Sequence, residues 1–189
     1  MKKLVKYSFL LLFCILVSCK KECHPFNRDL LCWLPYSLSD TLKFINNSND
    51  TISFVVDNKS IIDDTRKYGP CVKCGCESSA MFDAKSLQNS ENSISEGILY
   101  ESATYITFLM SIYYNNKRGE FSLITKNFNE NVIPSIVIDN HEYKDVLIID
   151  IDTIKYPNLS DFWRIILSKD IGFVKFYEKG SMNSWTLIN

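Results

Sequence analysis

The feature that most constrains this chain is alternation with a period of two. From Thr104 to Tyr114 the even positions Ile106, Phe108, Met110, Ile112 and Tyr114 are all apolar. The odd positions Tyr105, Thr107 and Ser111 are mixed, with Leu109 the exception. A helix would repeat every 3.6 residues; a period of two places one buried and one wetter face on a strand. The same pattern recurs in Thr41–Asn46, where Leu42 and Phe44 share a face, and in Thr51–Asp57, where Ile52, Phe54 and Val56 do. Between these two runs lies Asn47-Ser48-Asn49-Asp50, a cluster of turn formers, so the pair reads as a hairpin.

Further short strands follow. Asn115-Asn116-Lys117-Arg118-Gly119 is expected to turn the chain into Glu120–Thr125. Ile136–Asp139 and Val146–Ile151 pair around residues 140–144. Phe162–Leu167, Ile171–Tyr177 and Ser184–Ile188 close the chain, separated by turns at Ser168-Lys169-Asp170 and near Gly180. Ser86–Glu96 is polar and reads as a loop or one short helix. No stretch carries an apolar stripe at helical spacing, and no internal repeat is present. The expectation is one mostly β domain, an antiparallel sheet with at most one or two short helices.

Charge and composition narrow the function classes. With 21 basic and 22 acidic side chains the chain lacks the basic excess of a nucleic-acid binder, so no nucleic-acid partner is expected. Six Gly, five Pro and 46% hydrophobic residues exclude a disordered or fibrous chain.

Residues 1–18 read as a secretory signal. Lys2, Lys3 and Lys6 form a positive start, and Phe9–Val17 is an apolar run too short for a stable bilayer span. It closes in Leu16-Val17-Ser18-Cys19, which resembles the lipobox of bacterial lipoproteins. The resemblance implies acylation at Cys19 (palmitate-type chains) and cleavage before it. Several acyl chains, each contributing about 0.8 kcal/mol per buried CH2, would anchor the chain firmly. Lys20 and Lys21 follow, with no Asp after Cys19, which by resemblance to lipoprotein sorting rules implies the outer membrane. Processing changes the balance to 18 basic against 22 acidic side chains, a weakly acidic body on a lipid tether. The expected division is a signal over 1–18, a lipidated tether over 19–30 and a single β-rich domain over 31–189.

Three segments carry a wider likeness: Leu34-Pro35-Tyr36 with Asp40–Phe44, Asp139–Val146, and the ending Ile166–Phe176 with Trp185-Thr186-Leu187. Together they resemble the small uncharacterised outer-membrane lipoproteins of Gram-negative bacteria, whose last hairpin reads SKxxGxxxF…WxL. The likeness touches both ends of the mature chain and implies a compartment and a β-rich fold, but no catalytic residues. The ending is also similar to the curved half-barrel sheets of bacterial lipid and lipoprotein carriers, a likeness of fold alone.

Cysteines form the one constellation. Cys14 belongs to the signal and Cys19 is the lipidation candidate. Cys23, Cys32, Cys71, Cys74 and Cys76 remain, and outside the cytoplasm they are expected to form disulfides, with one thiol left over. The alternative is a metal site on the Cys71-Val72-Lys73-Cys74-Gly75-Cys76 loop, completed by Cys23 or Cys32. A thioredoxin-like use of Cys71 and Cys74 would need a βαβ setting that the pattern lacks.

His24 and His141 read as solvated, and no G-x-S-x-G element accompanies them, so no catalytic residue and no cofactor are assigned. Asp145, Asp150 and Asp152 read as strand-end carboxylates rather than calcium ligands. Trp33, Trp163 and Trp185, with twelve Phe and ten Tyr, either line a concave apolar groove or fill the core, and the core is the favoured reading. The expected function is a non-enzymatic, lipid-anchored envelope protein that binds a protein partner or a small apolar ligand on its sheet. The alternatives are the metal-binding module or a hydrolase without a recognisable motif.

Overall fold

A computed structural model describes residues 25–63, 77–101, 105–151, 160–180 and 183–188. They build one antiparallel sheet of eleven strands, curled into a half-barrel. In chain order the strands are β1 (Thr41–Asn46), β2 (Thr51–Ile62), β3 (Glu77–Ser86), β4 (Ser93–Glu101), β5 (Tyr105–Tyr114) and β6 (Lys117–Thr125). They continue with β7 (Val132–Ile138), β8 (His141–Asp150), β9 (Phe162–Ser168), β10 (Gly172–Glu178) and β11 (Ser184–Ile188). Their order across the sheet is β6-β5-β4-β3-β2-β1-β11-β10-β9-β8-β7, so every neighbour but the β1–β11 pair is also a neighbour in sequence. Two 3-10 turns, Arg28–Trp33 and Phe128–Asn131, are the helical elements among the described residues.

The fold class and the hairpins read from alternation hold. Leu42, Phe44, Ile52, Phe54 and Val56 are buried, as are Phe108, Met110 and Ile112 on β5. Two turns are tighter than expected. Asn115-Asn116 and Asp139-Asn140 are two-residue connections with φ of 49° and 60°, and 50° and 66°. Asn and Asp tolerate this left-handed backbone, which matches the twist of the flanking strands. Lys117, Arg118 and Gly119, and likewise His141–Lys144, therefore belong to strands and not to loops.

The reading of Ser86–Glu96 as loop or helix is corrected. Only the middle of that segment is a loop, gathered by Ser86, whose hydroxyl accepts from the backbone N–H of Gln88 (3.1 Å) and Asn89 (3.4 Å). Residues 93–96 are strand, and Ile94, Glu96 and Ile98 all point inward. A carboxylate on the buried face broke the apolar alternation that marks the other strands.

The inner face is packed with Phe44, Phe54, Phe82, Phe108, Phe162, Phe173 and Phe176, all fully buried. Aromatics fill the core rather than line an open groove, and edge-to-face pairs such as Phe44–Phe176 at 5.5 Å are the geometry their quadrupoles favour. The curl brings distant strands together. Tyr114 of β5 meets Trp185 of β11 at 5.1 Å, and Gly119 of β6 lies so close to Phe162 that a Cβ would stand 2.8 Å from its ring. At that seam Asp161 donates its N–H to the Arg118 carbonyl (2.7 Å), and the Arg118 N–H donates to the Asp161 carboxylate (2.8 Å).

The N-terminal segment closes the interior. Phe26, Leu30, Trp33, Leu34 and Tyr36 are buried in the main core, so residues expected in the tether contribute to the fold. The Asp63 carboxylate accepts from the Phe26 N–H (2.9 Å) and pairs with Arg28. A bulge between Val56 and Asn58 switches the parity of β2, turning Lys59 inward. Its ammonium donates to the carbonyls of Leu34 and Tyr36. Tyr36 spans the interior, with its ring 4.4 Å from Phe82 and its hydroxyl accepting from the Phe173 N–H. Gly172, at φ 79°, is the residue this phenol presses against; any Cβ there would collide with it.

Candidate functional site: a cleft under the outer hairpin

On the outer face, β9, β10, β11 and β1 present Ile166, Lys175, Thr186 and Ile45 in one transverse row, because residues directly opposite one another share a face. The β7–β8 hairpin does not continue the curve of the sheet beyond this row. Asp145 takes a positive φ of 48°, the Lys169 N–H donates to the Asp145 carbonyl (3.0 Å), and the Ser168 hydroxyl donates to the Lys144 carbonyl (2.8 Å). The hairpin tip therefore folds over the outer face. There Ile138, Tyr143, Val146, Ile166 and Val174 form a second, smaller apolar cluster.

Asp139, the first residue of the two-residue turn, fastens the tip. Its carboxylate accepts from the Lys175 ammonium (3.1 Å) and the Thr186 hydroxyl (2.9 Å). The hydrogen bond from Lys175 holds this carboxyl below the ordinary carboxylate range against the opposing effect of burial, with smaller help from the Thr186 hydroxyl and the Lys175 charge. Lys175 is buried to 7% exposure and also lies over the Tyr177 ring at 5.5 Å, so its charge is matched on two sides.

Between the fastened tip and the sheet lies a cleft of about 500 Å³. Ile45, Leu187, Ile188, Ile138 and Ile171 give it apolar walls; Asn46, Asn47 and Asn49 of the β1–β2 turn, with Asp139, His141 and Tyr143, give it a polar rim. The rim amides are positioned by the turn itself, where the Asn46 side-chain carbonyl accepts from the Ser48 (2.9 Å) and Asp50 (2.8 Å) N–H groups. His141 is exposed, as expected, and its ring stands edge-on to Tyr143 at 4.7 Å. Burial, and then the Asp139 charge, raise the Tyr143 phenol above its ordinary range, so it stays a neutral donor. An apolar floor with a few convergent polar groups suits a small, largely apolar ligand that carries a polar end.

A second polar feature lies inside the half-barrel. Lys59, Phe82, Glu96, Met110 and Phe121 form one transverse row on the inner face. Glu96 is 2% exposed and neither carboxylate oxygen has a hydrogen-bond partner among the described residues. Desolvation pushes its carboxyl well above the usual carboxylate range, and the neighbouring charge in turn raises the already buried Tyr36 phenol. Burial thus favours the protonated form of both groups. Composition does not single out Glu96; its only sequence signal is a carboxylate at an even position of an Ile94-x-x-x-Ile98 run.

Of the cysteine candidates, Cys32 is a half-buried free thiol whose Sγ donates to the Asp29 carbonyl at 3.0 Å. Burial raises it above the ordinary thiol range, more than Lys169 lowers it. Cys19, Cys23, Cys71, Cys74 and Cys76 lie outside the described residues, as do His24 and Asp152. Asp150 is engaged by Arg164, which donates to both carboxylate oxygens (2.6 and 2.7 Å), and Asp145 serves the backbone kink. Among the described residues no cluster of three or more His, Cys, Asp or Glu could hold a metal, and no helix is long and apolar enough to cross a membrane. Trp33 and Trp185 are buried in the core, while Trp163 lies against the Arg164 guanidinium at 4.5 Å. Comparison with protein-family models, with curated proteins and with solved structures finds no match.

Proposed function

We propose that this chain is a non-enzymatic lipoprotein of the outer membrane, acylated at Cys19, that holds a small apolar ligand with a polar end in the cleft under the β7–β8 hairpin. The anchor rests on the Leu16–Cys19 sequence and on the resemblance to small outer-membrane lipoproteins. The cleft carries the ligand reading. Its walls are aliphatic, its rim offers amides and a phenol, and its volume of about 500 Å³ is that of an ordinary small-molecule site. With Phe26 already in the core, the seven residue steps from Cys19 span about 25 Å at full extension, so the domain would ride close to the bilayer surface.

Native mass spectrometry of the chain extracted from membranes in detergent tests both parts. The mass of a diacylated sulfur and an N-acyl chain on Cys19, lost in Cys19→Ala, is the expected anchor. A further lipid-sized adduct, present on the wild type and absent from Ile45→Glu, is the expected cleft ligand. A chain that carries acyl mass but never an adduct would overturn the ligand reading and turn the search to a protein partner.

A further inference from the structure

The outer face of β2–β6 carries an uncharged band across all five strands. Two register rows make it: Ile62, Ser79, Leu99, Thr107 and Ile124 in one, and Ser60, Met81, Gly97, Leu109 and Ser122 in the other. Between them runs the row of Ala80, Ile98 and Phe108, which belongs to the main core, so the two rows face outward. Ile62, Met81, Leu109 and Ile124 are all exposed, and small residues lie between them. Apolar side chains scattered singly over a surface need no explanation, but a cluster on one sheet face does. Charge begins at the borders of the band. On one side Asp83 and Glu120 share a register row, with Asp83 accepting from Asn58 and Ser95. On the other, Glu77 and Glu101 share a row with Tyr105, whose ring lies 5.3 Å from the Lys126 ammonium.

We propose that this band is the surface on which the anchored domain rests against a zwitterionic lipid bilayer. The contact rests on the reading of Cys19 as the lipid anchor, and the place where the tether joins the domain selects lipid over a protein partner. The Phe26 N–H donates to the Asp63 carboxylate (2.9 Å), and Asp63 directly follows Ile62 at one end of the band. From Cys19 to Phe26 the chain extends about 25 Å at most. Five neighbouring strands set about 4.8 Å apart make the band about 19 Å wide from Ile62 to Ile124. A tether fixed beside Ile62 therefore keeps the whole band within reach of the bilayer. Once the anchor is inserted, the contact is intramolecular, and burial of a small apolar area suffices to orient the domain. Tyr105 with Lys126 beside it is an amphipathic pair suited to the headgroup layer. The mature balance of 18 basic against 22 acidic side chains favours a zwitterionic surface over an anionic one.

Photolabelling of the full chain in phosphatidylcholine nanodiscs, with a diazirine on the lipid acyl chain and mass spectrometry to read the labelled residues, provides the test. Three side chains of matched exposure make the comparison. Ile124 in the band is 66% exposed, while Leu87 at the far end of β3 and Val137 on β7, both outside it, are 71% and 68% exposed. The lipid reagent is expected to label Ile124, with Ile62 and Leu109, several-fold more than Leu87 and Val137. A water-soluble diazirine in the same nanodiscs is expected to show the reverse order. Ile62→Ser/Ile124→Ser changes only exposed side chains. It is expected to keep the acyl mass on Cys19 and the wild-type strand circular dichroism while the lipid label on Leu109 falls several-fold. Equal lipid labelling of Ile124, Leu87 and Val137 in a chain that carries acyl mass would overturn the resting surface and leave the anchor standing. A chain without acyl mass would overturn both. Protection of Ile124 from both reagents would show a protein surface covering it and would overturn the lipid contact, as would a Leu109 label unchanged by the double substitution.

Discussion

The two faces of the sheet solve the same problem in different ways. Inside the curl, the chain covers its apolar surface with its own N-terminal segment: Phe26 to Tyr36 lies across the phenylalanine layer and is stitched down by Lys59, Asp63 and the Phe173 N–H. Outside, the cover is a hairpin tip held at one point, by Asp139, over a cluster of five buried residues. The inner cover is part of the main core, whereas the outer one leaves a cleft of about 500 Å³. The difference places rigidity on the face that holds the barrel together and adaptability on the face where a ligand would be gripped. Small satellite clusters with few fastenings open at lower free energy than main cores.

The widest gap between the faces should appear on truncation. Phe173 is fully buried, stacked on Phe176 and within 5.2 Å of Phe44. Phe173→Ala should cost about 3–5 kcal/mol, read as a fall in the urea midpoint with the slope unchanged. Tyr143→Ala, in the outer cluster, should cost clearly less and loosen the hairpin before the sheet unfolds. Equal losses from the two variants, with a single transition in both, would erase the distinction and make the hairpin part of the main cooperative unit.

Glu96 sharpens the picture of the inner face. A buried carboxyl without partners weakens the core it sits in, and it does so in a pH-dependent way. Below about pH 4 the group is protonated in both folded and unfolded chains and imposes no ionic penalty. As pH rises, the unfolded chain ionises while the folded one holds its proton, so stability falls by up to about 1.4 kcal/mol per pH unit until the raised folded-state value is passed. Lys59, one residue along the row beyond Phe82, is occupied by the carbonyls of Leu34 and Tyr36, and Tyr36 itself is neutral in this range. Glu96→Gln should flatten the slope, and Glu96→Met should also raise stability at pH 7 by about 1–3 kcal/mol. A wild type whose stability is flat between pH 5 and 8 would mean that the carboxyl is partnered or hydrated in solution.

How much of this was legible beforehand follows from how local each feature is. Leu42 with Phe44 and Ile106 to Tyr114 announce their strands because one face is apolar, and Phe162 to Leu187 does so by short apolar runs set between turn formers. The strand around Glu96 was hidden by its own buried carboxylate, and the parity switch at Val56 and Asn58 in β2 has no sequence mark at all. In the sequence Tyr36 is marked only by a short resemblance; that it reaches across the half-barrel to Gly172 depends on packing between residues more than a hundred positions apart. The cleft was least accessible of all, since Asp139, Lys175 and Thr186 are ordinary surface types until the curl and the kink at Asp145 bring them together.

The smallest expected effect concerns that fastening. Asp139 is an exposed carboxylate paired with a buried ammonium, and such pairs contribute little to global stability, about 0–1 kcal/mol at most. Asp139→Asn should therefore leave the unfolding midpoint almost unchanged. Its consequence is local: with the charge removed, Lys175 loses its anionic partner, the tip loses its one strong attachment, and the amides of residues 136–144 should exchange with solvent faster while those of β10 keep their protection. Acid should imitate the substitution. The Asp139 carboxyl is held below its unfolded value, so its contribution is present above about pH 4 and disappears as pH falls through the lowered folded value. Faster exchange confined to the hairpin, in the variant at neutral pH and in the wild type on acidification, would establish the hairpin as a flap held by one residue. Exchange that accelerates equally in β10 would show that the two faces open together, and that the cleft is no more adaptable than the barrel behind it.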